Sequence, residues 1–277
     1  MKLIRESINF ERGVDPKTSL SIGRKAFIEK WFKKWAPNIK YELDDNLNII
    51  IKGDLELNDT YIIDLPENLI IEGNLHLNES PIEKLPKGLI VKGYLNLESS
   101  FIKELPEDII VGNSIYLSRS EIKSLPKKLK VNGTLSLSNT PIKELPENLT
   151  IKGDLYLNYT TIEKLPKGLT IGGSLYLEKS YIKELPDDIF IGKSIYLNGS
   201  SIEKLPDNLI VNGYLDLRKT LIEKLPKNLK VEGYLNLNNT NIKELPENLI
   251  VKGNLYIKGT NIKEIPESVK IIGKIIR

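Results

Sequence analysis

Residues 151–170 read IKGDLYLNYTTIEKLPKGLT, and residues 91–110 read VKGYLNLESSFIKELPEDII. Both follow one consensus, (I/V)-x-G-x-L-x-L-x-x-(S/T)-x-I-x-x-L-P-x-x-L-x, which recurs from about residue 49 to residue 277. Its proline returns at every twentieth position from Pro66 to Pro266, which makes eleven copies without an insertion. A fixed period of this length is typical of stacked repeats. We therefore predict a solenoid in which each twenty-residue unit forms one coil.

The apolar columns of the unit predict how a coil buries its interior. The alternation of Leu155 and Leu157 with polar residues is typical of a short strand with one buried face. With the other apolar columns, each coil has about six aliphatic side chains to bury, worth about 2 kcal/mol apiece. Ordering the backbone costs about 1–2 kcal/mol per residue, so one coil needs neighbours in order to fold. The remaining apolar positions of the specimen unit are Ile151, Ile162, Leu165 and Leu169.

Glycine and proline mark the bends of the coil. The glycine before the strand predicts a bend or a positive φ. It is replaced by Asn113 and Lys193, and in both units a glycine stands one place earlier, at Gly112 and Gly192, so we predict that these two coils bend differently. The Leu-Pro step predicts a turn, and residues suited to its end follow two places later, as at Asn148, Gly168 and Asn208.

Every twentieth residue from Thr60 to Thr260 is Ser or Thr. Because buried positions flank this column, we expect the hydroxyls to point inward and to bond the backbone of the loops. Stacked hydroxyls can also form a ladder between coils, which satisfies buried polar groups. This structural role is favoured over that of a catalytic serine.

The run L-x-L-x-x-(S/T)-x-I-x-x-L-P resembles the leucine-rich-repeat core L-x-L-x-x-N-x-L-x-x-L-P, and the period of twenty is similar to the short bacterial class of that family. The resemblance implies a right-handed, curved solenoid, mostly strand and loop, with a long parallel β-sheet on its concave face. Ser or Thr replaces the family's Asn, so the ladder differs in detail. The added (I/V)-x-G segment suggests a second extended segment in each coil and a weaker curvature.

The N-terminal region lacks the repeat. Residues 1–18 form an N-terminal segment, and residues 19–48 are predicted to be a helical cap with an amphipathic helix at 19–36, ending before Pro37. A cap that covers the first coil is favoured over a basic helix that binds a membrane or a partner. The residues expected on the apolar face are Ile22, Phe27, Ile28, Trp31, Phe32 and Trp35.

Two further expectations concern the ends of the chain. Ile8-Asn9-Phe10-Glu11 is similar to a site at which phage-head proteases cut after Glu, which suggests removal of residues 1–11. The C-terminal VKIIGKIIR continues the strand pattern to the last residue, so the solenoid 49–277 has no second cap. Exposed apolar side chains and unpaired backbone favour association, so we expect either that Lys270, Lys274 and Arg277 prevent it or that two last coils meet in a homodimer.

Composition argues against catalysis. The chain has no cysteine and one histidine, His76, so a Cys-based or His-based metal cluster lacks its ligands, a Ser-His-Asp triad is not favoured, and no cofactor is expected. Its formal charge of +3 and the absence of a long apolar run favour neither nucleic acid nor a membrane as partner. The expected compartment is the cytoplasm of a bacterial or phage-infected cell.

The exposed side chains of the strands remain as the candidate binding surface. Tyrosine is frequent there, and Tyr156, Tyr176 and Tyr196 should stack because neighbouring coils lie about 4.8 Å apart. Tyrosine is favoured in interfaces, although its strand propensity alone would also explain it. We therefore predict a non-catalytic module that binds a protein partner. Alternatives are a packaged phage protein acting on a host factor, and an ice- or carbohydrate-binding solenoid. The predicted contact residues are His76, Tyr94, Tyr116, Tyr156, Tyr176, Tyr196, Tyr214, Tyr234 and Tyr256.

Overall fold

The computed structural model describes residues 16–277, with side chains from residue 22 onward. Within this range the chain forms one helix, α1 (Pro16–Trp35), followed by a solenoid with two short strands in every coil. The predicted processing site at residues 8–11 lies outside the described residues.

The longest sheet contains one strand from every coil. Its twelve strands are parallel and stay in register, so that Leu155 pairs with Leu175 and Tyr156 with Tyr176. The amides of Leu155 and Leu157 donate to the carbonyls of Ser174 and Tyr176 in the next coil, at 2.9 and 2.8 Å. The strands are Leu55–Glu56, Leu75–His76, Leu95–Asn96, Ile115–Tyr116, Leu135–Ser136, Leu155–Tyr156, Leu175–Tyr176, Ile195–Tyr196, Leu215–Asp216, Leu235–Asn236, Leu255–Tyr256 and Ile275–Ile276.

A second extended segment in each coil forms three shorter sheets, as the (I/V)-x-G segment predicted. The pairing is parallel except where the first strand meets the second, with Glu42 opposite Ile50. The first sheet contains Glu42–Leu43, Ile49–Ile51, Leu69–Ile71, Ile90–Val91 and Ile110–Val111. The second contains Lys130–Val131, Thr150–Ile151, Thr170–Ile171 and Phe190–Ile191, and the third Ile210–Val211, Lys230–Val231, Ile250–Val251 and Lys270–Ile271.

The three sheets are separated at the two coils whose glycine is displaced by one place, which we call the unusual coils. Each break follows the strand before a displaced glycine, after Ile110–Val111 and after Phe190–Ile191. Just before each break, isoleucine replaces leucine in the last apolar column, and the side chains of Ile109 and Ile189 are only partly buried. The pairing of the second strand segment is therefore interrupted at the coils with Gly112 and Gly192, and the different bend of these coils stays a prediction.

The six predicted core columns are confirmed. In the unit 151–170, five of the six aliphatic side chains are fully buried and Leu165 is 8% exposed. The described part of the chain has one continuous core, which runs from Ile28 in α1 to Ile262. One side of the long sheet thereby packs against this core, and its other side faces outward.

The glycine column lies at a bend in every coil, as one of the two predicted alternatives requires, and it also allows the coils to approach closely. The other alternative, a positive φ, was wrong, because the described residues with positive φ do not include this column. The coils approach each other closely: a Cβ on Gly153 would lie 2.7 Å from the carbonyl carbon of Gly133. The Leu-Pro turn does follow the prediction, since φ is 56° at Asn148 and 59° at Asn208.

The Ser/Thr column points inward but forms no ladder between coils. Each bonded hydroxyl donates to the carbonyl three residues earlier in its own coil, as Thr160 does to Leu157 at 2.6 Å. Ser120 and Ser200, in the two unusual coils, have buried hydroxyls without a partner in the described part of the chain. The predicted ladder is absent because the carbonyl nearest to each hydroxyl belongs to the same coil. The other donors are Thr60, Ser80, Ser100, Thr140, Ser180, Thr220, Thr240 and Thr260.

Replacing Thr160 with valine should lower the free energy of unfolding by about 1–3 kcal/mol, because the buried carbonyl of Leu157 loses its hydroxyl donor while the volume is kept. Thermal unfolding followed by circular dichroism measures the effect. Thr160→Ser retains the hydroxyl and serves as the control. Equal melting temperatures for the valine variant and the wild type would show that this hydrogen bond contributes nothing.

Helix α1 covers the first coil. Ile28, Trp31 and Phe32 are buried, and Trp35 is partly buried. The indole Nε1 of Trp31 donates to the carbonyl of Asp64 at 3.2 Å. The expectation that Ile22 and Phe27 share this face was wrong, because they are 59% and 52% exposed.

Candidate functional site

The free side of the long sheet carries three columns of side chains, at residues 54, 56 and 58 and at every twentieth position after them. We call this surface the tyrosine face. Because the strands stay in register, residues of one column lie side by side along the whole sheet. All nine residues predicted to contact a partner lie on this face, and most of them are partly exposed.

The central group of tyrosines forms a continuous stack. The ring centroids of Tyr156 and Tyr176 are 4.2 Å apart with an angle of 7° between the planes. Those of Tyr176 and Tyr196 are 4.7 Å apart at 10°. The predicted contiguous strip is therefore present, held by the spacing of the strands themselves, while its role in binding stays a prediction.

Two smaller aromatic groups flank this stack. Towards the C-terminal coils, Tyr214 stacks on Tyr234 at 4.2 Å, and Tyr234 meets Tyr256 edge-on at 5.9 Å. Towards the N-terminal coils, Tyr94 packs edge-on against both His76 and Tyr116, at 5.1 and 5.8 Å. The Tyr94 hydroxyl also lies 3.1 Å from Nε2 of His76. The nine predicted residues thus form three groups, interrupted in the central column at residues 136 and 216.

The sequence reasoning did not anticipate the role of Asp216. This carboxylate stands in the central column, yet it is only 2% exposed. Arg218 holds it through two contacts, Nε to Oδ1 at 3.1 Å and a second guanidinium nitrogen to Oδ2 at 2.8 Å. A buried carboxylate requires such a partner. The available signal was the arginine two places after an acidic residue, which puts both side chains on the same side of a strand.

The packing also raises the pKa of several tyrosines on this face. Burial, followed by the negative potential of neighbours that include Asp216, raises the pKa of Tyr234 to about 12. Burial is also the main cause that raises the pKa of Tyr156 and Tyr196. These hydroxyls remain protonated at neutral pH, so they can donate hydrogen bonds to a partner.

Other kinds of site receive no support in the described range. Residues 22–277 contain no group of three or more His, Asp or Glu side chains placed to hold a metal ion. Helix α1 is too polar to cross a membrane, and it is the one helix of residues 16–277. In the last coil, Ile272, Ile275 and Ile276 are exposed, and the homodimer through this coil stays a prediction.

No family model and no curated protein matches the chain. Among solved structures, it is similar to the leucine-rich-repeat protein LIC12759 of Leptospira interrogans, with 19% identity, a TM-score of 0.38 and coverage of 77% of this chain and 79% of that one. It is also similar to YopM, a leucine-rich effector protein of Yersinia pestis, with 19% identity, a TM-score of 0.37 and coverage of 93% and 99%. YopM of Yersinia enterocolitica WA-314 matches at 20% identity and a TM-score of 0.37, with coverage of 80% and 68%.

These matches are too distant to carry an argument about function. The leucine-rich-repeat-like character of the chain rests on its own repeat, its parallel strands and its continuous core.

Proposed function

We propose that the protein is a non-catalytic module that binds a protein partner on the tyrosine face. The observation that carries the proposal is the stack of Tyr156, Tyr176 and Tyr196, with centroid spacings of 4.2 and 4.7 Å on the long sheet. Tyrosine contributes a large contact area and a hydroxyl, and side chains that are already ordered lose little entropy on binding.

The size of the tyrosine face supports the proposal. Twelve strands at a spacing of about 4.8 Å extend for about 53 Å, and the three columns are about 13 Å wide. The resulting area of roughly 700 Å² approaches the ~800 Å² that each partner contributes to a stable protein interface. A partner that covers most of the face can therefore bind without a second surface.

Exposed apolar residues also occur off the tyrosine face. Ile110, Phe190 and Ile210 are each more than half exposed on the second strand segment. Ile110 and Phe190 are four coils apart, about 19 Å, and the sheet is interrupted between Phe190 and Ile210. Ile110 does continue a column with the half-buried Ile50, Ile70 and Ile90 on the paired strands, but these aliphatic side chains offer no hydroxyl to a partner.

The double variant Tyr156→Ala/Tyr176→Ala should weaken partner binding at least tenfold, because two adjacent aromatic contacts are lost from the centre of the interface. The measurement is a quantitative pull-down from an extract of the source cell, read by mass spectrometry, with melting temperatures recorded in parallel. Tyr61→Ala/Tyr181→Ala is the matched control, since these exposed tyrosines lie outside the tyrosine face. Equal recovery of partners by both double variants would contradict the proposal.

A further inference from the structure

The charges on the tyrosine face are distributed unevenly along the solenoid. Over the seven strands from Leu55–Glu56 to Leu175–Tyr176, its three columns contain carboxylates and no lysine or arginine. Basic residues appear only in the later coils, at Arg218, Lys258 and Lys274. The acidic residues of these seven strands are Asp54, Glu56, Glu98, Asp154 and Glu178, and we call this part of the surface the acidic half-face.

Ion pairs do not neutralise the acidic half-face. The one salt bridge on the tyrosine face in residues 22–277 joins Arg218 to Asp216, beyond the acidic half-face. Elsewhere in this range, ion pairs join residues off the face, such as Lys103 to Glu83 at 2.9 Å. The whole chain has a formal charge of +3, so this negative surface is a local feature and not a consequence of overall composition.

The carboxylates lie beside aromatic side chains. Glu178 is two residues after Tyr176 on the same side of the strand, and its Oε2 accepts a hydrogen bond from Nδ2 of Asn158 at 2.5 Å. Asp154 precedes Tyr156 by two residues in the same manner. A tyrosine ring next to a carboxylate suits a guanidinium or ammonium group, which packs on the aromatic side chain while it pairs with the oxygens.

We infer that the partner presents a basic segment, rich in arginine or lysine, along the acidic half-face. The inference rests on the proposed function and adds the chemistry of the partner. Seven strands at a spacing of about 4.8 Å extend for about 29 Å, which matches about nine residues of extended polypeptide. The same charges repel the phosphates of a nucleic acid, so the occupant is a polypeptide.

Selection from a random twelve-residue peptide display library tests the inference without knowledge of the natural partner. The selected peptides are then measured by fluorescence anisotropy against three variants. Glu56→Gln/Glu98→Gln/Glu178→Gln neutralises the acidic half-face, and the second variant is Tyr156→Ala/Tyr176→Ala. The control, Glu144→Gln/Glu244→Gln/Glu264→Gln, removes the same charge from exposed positions off the face.

The inference predicts that the selected peptides carry a net positive charge. Their affinity should fall about tenfold for the glutamine variant of the acidic half-face and less than twofold for the control. Neutral or acidic peptides, or an equal loss in both glutamine variants, would overturn it. Peptides that no longer bind the tyrosine variant but still bind the acidic half-face variant would overturn the inference and leave the proposed function intact. Peptides that bind all variants equally would also contradict the proposed function.

Discussion

Replacing Phe32 with alanine is expected to lower the free energy of unfolding by about 3–5 kcal/mol. The ring is 3% exposed and stacks on Tyr41 with a centroid distance of 4.1 Å, and Trp31 packs edge-on against it at 5.0 Å. Its removal leaves a cavity between α1 and the first coil. At about 2–4 °C per kcal/mol, the melting temperature should fall by at least about 6 °C.

Phe27→Ala is the matched control, since the same residue type in the same helix is 52% exposed. It should change the free energy of unfolding by less than about 0.5 kcal/mol. Binding of the dye ANS should increase for the Phe32 variant alone, because the apolar interior of the first coil becomes accessible. Similar melting temperatures for the two variants would show that α1 is not a cap that stabilises the solenoid.

Gly153→Ala should destabilise the protein by about 2–3 kcal/mol. The added Cβ would lie 2.7 Å from the carbonyl carbon of Gly133 and 2.8 Å from the amide nitrogen of Thr134. Both contacts are to backbone, so the coils have to move apart, which weakens the hydrogen bond from the Gly153 amide to the Gly133 carbonyl at 2.9 Å. Overpacking of this kind costs about 1–3 kcal/mol before any hydrogen bond is lost.

Gly53→Ala is the control for this second prediction. It belongs to the same column, but a Cβ there meets nothing within 4 Å because it lies in the first coil. The melting temperature of this variant should stay within about 2 °C of the wild type. If Gly53→Ala and Gly153→Ala destabilise equally, the glycine column serves the conformation of the backbone and not the approach of the coils.

The repeat made the fold predictable from the sequence. The columns at Leu155, Leu157 and Ile162 depend on side-chain burial alone, which a period of twenty displays directly. The glycine column was harder, because a bend and a close approach both favour glycine. What reveals the close approach is the short distance from a Cβ placed on Gly153 to the carbonyl carbon of Gly133.

The buried face of α1 is narrower than predicted. Ile28, Trp31, Phe32 and Trp35 follow the i, i+3, i+4, i+7 spacing of one helix face. Phe27 is rotated by about 100° from Ile28, which places it at the margin of that face. The helix meets a single coil, so the buried stripe is narrow and the marginal residue remains exposed.

The candidate site was predictable in position but not in detail. Register alone places Tyr156, Tyr176 and Tyr196 side by side, so their stacking could be expected. The burial of Asp216 depends on the conformations of its larger neighbours and on the reach of Arg218. A sequence pattern contains neither kind of information.

Photo-crosslinking in the source cell tests the central claim, that the partner lies on the tyrosine face. We would introduce p-benzoylphenylalanine in place of Tyr176, in the middle of the stack, or in place of Tyr181, which is 58% exposed and lies off the face. The account predicts a covalent complex with the partner from position 176, at least tenfold stronger than from position 181. A complex that forms from position 181 and not from position 176 would contradict it.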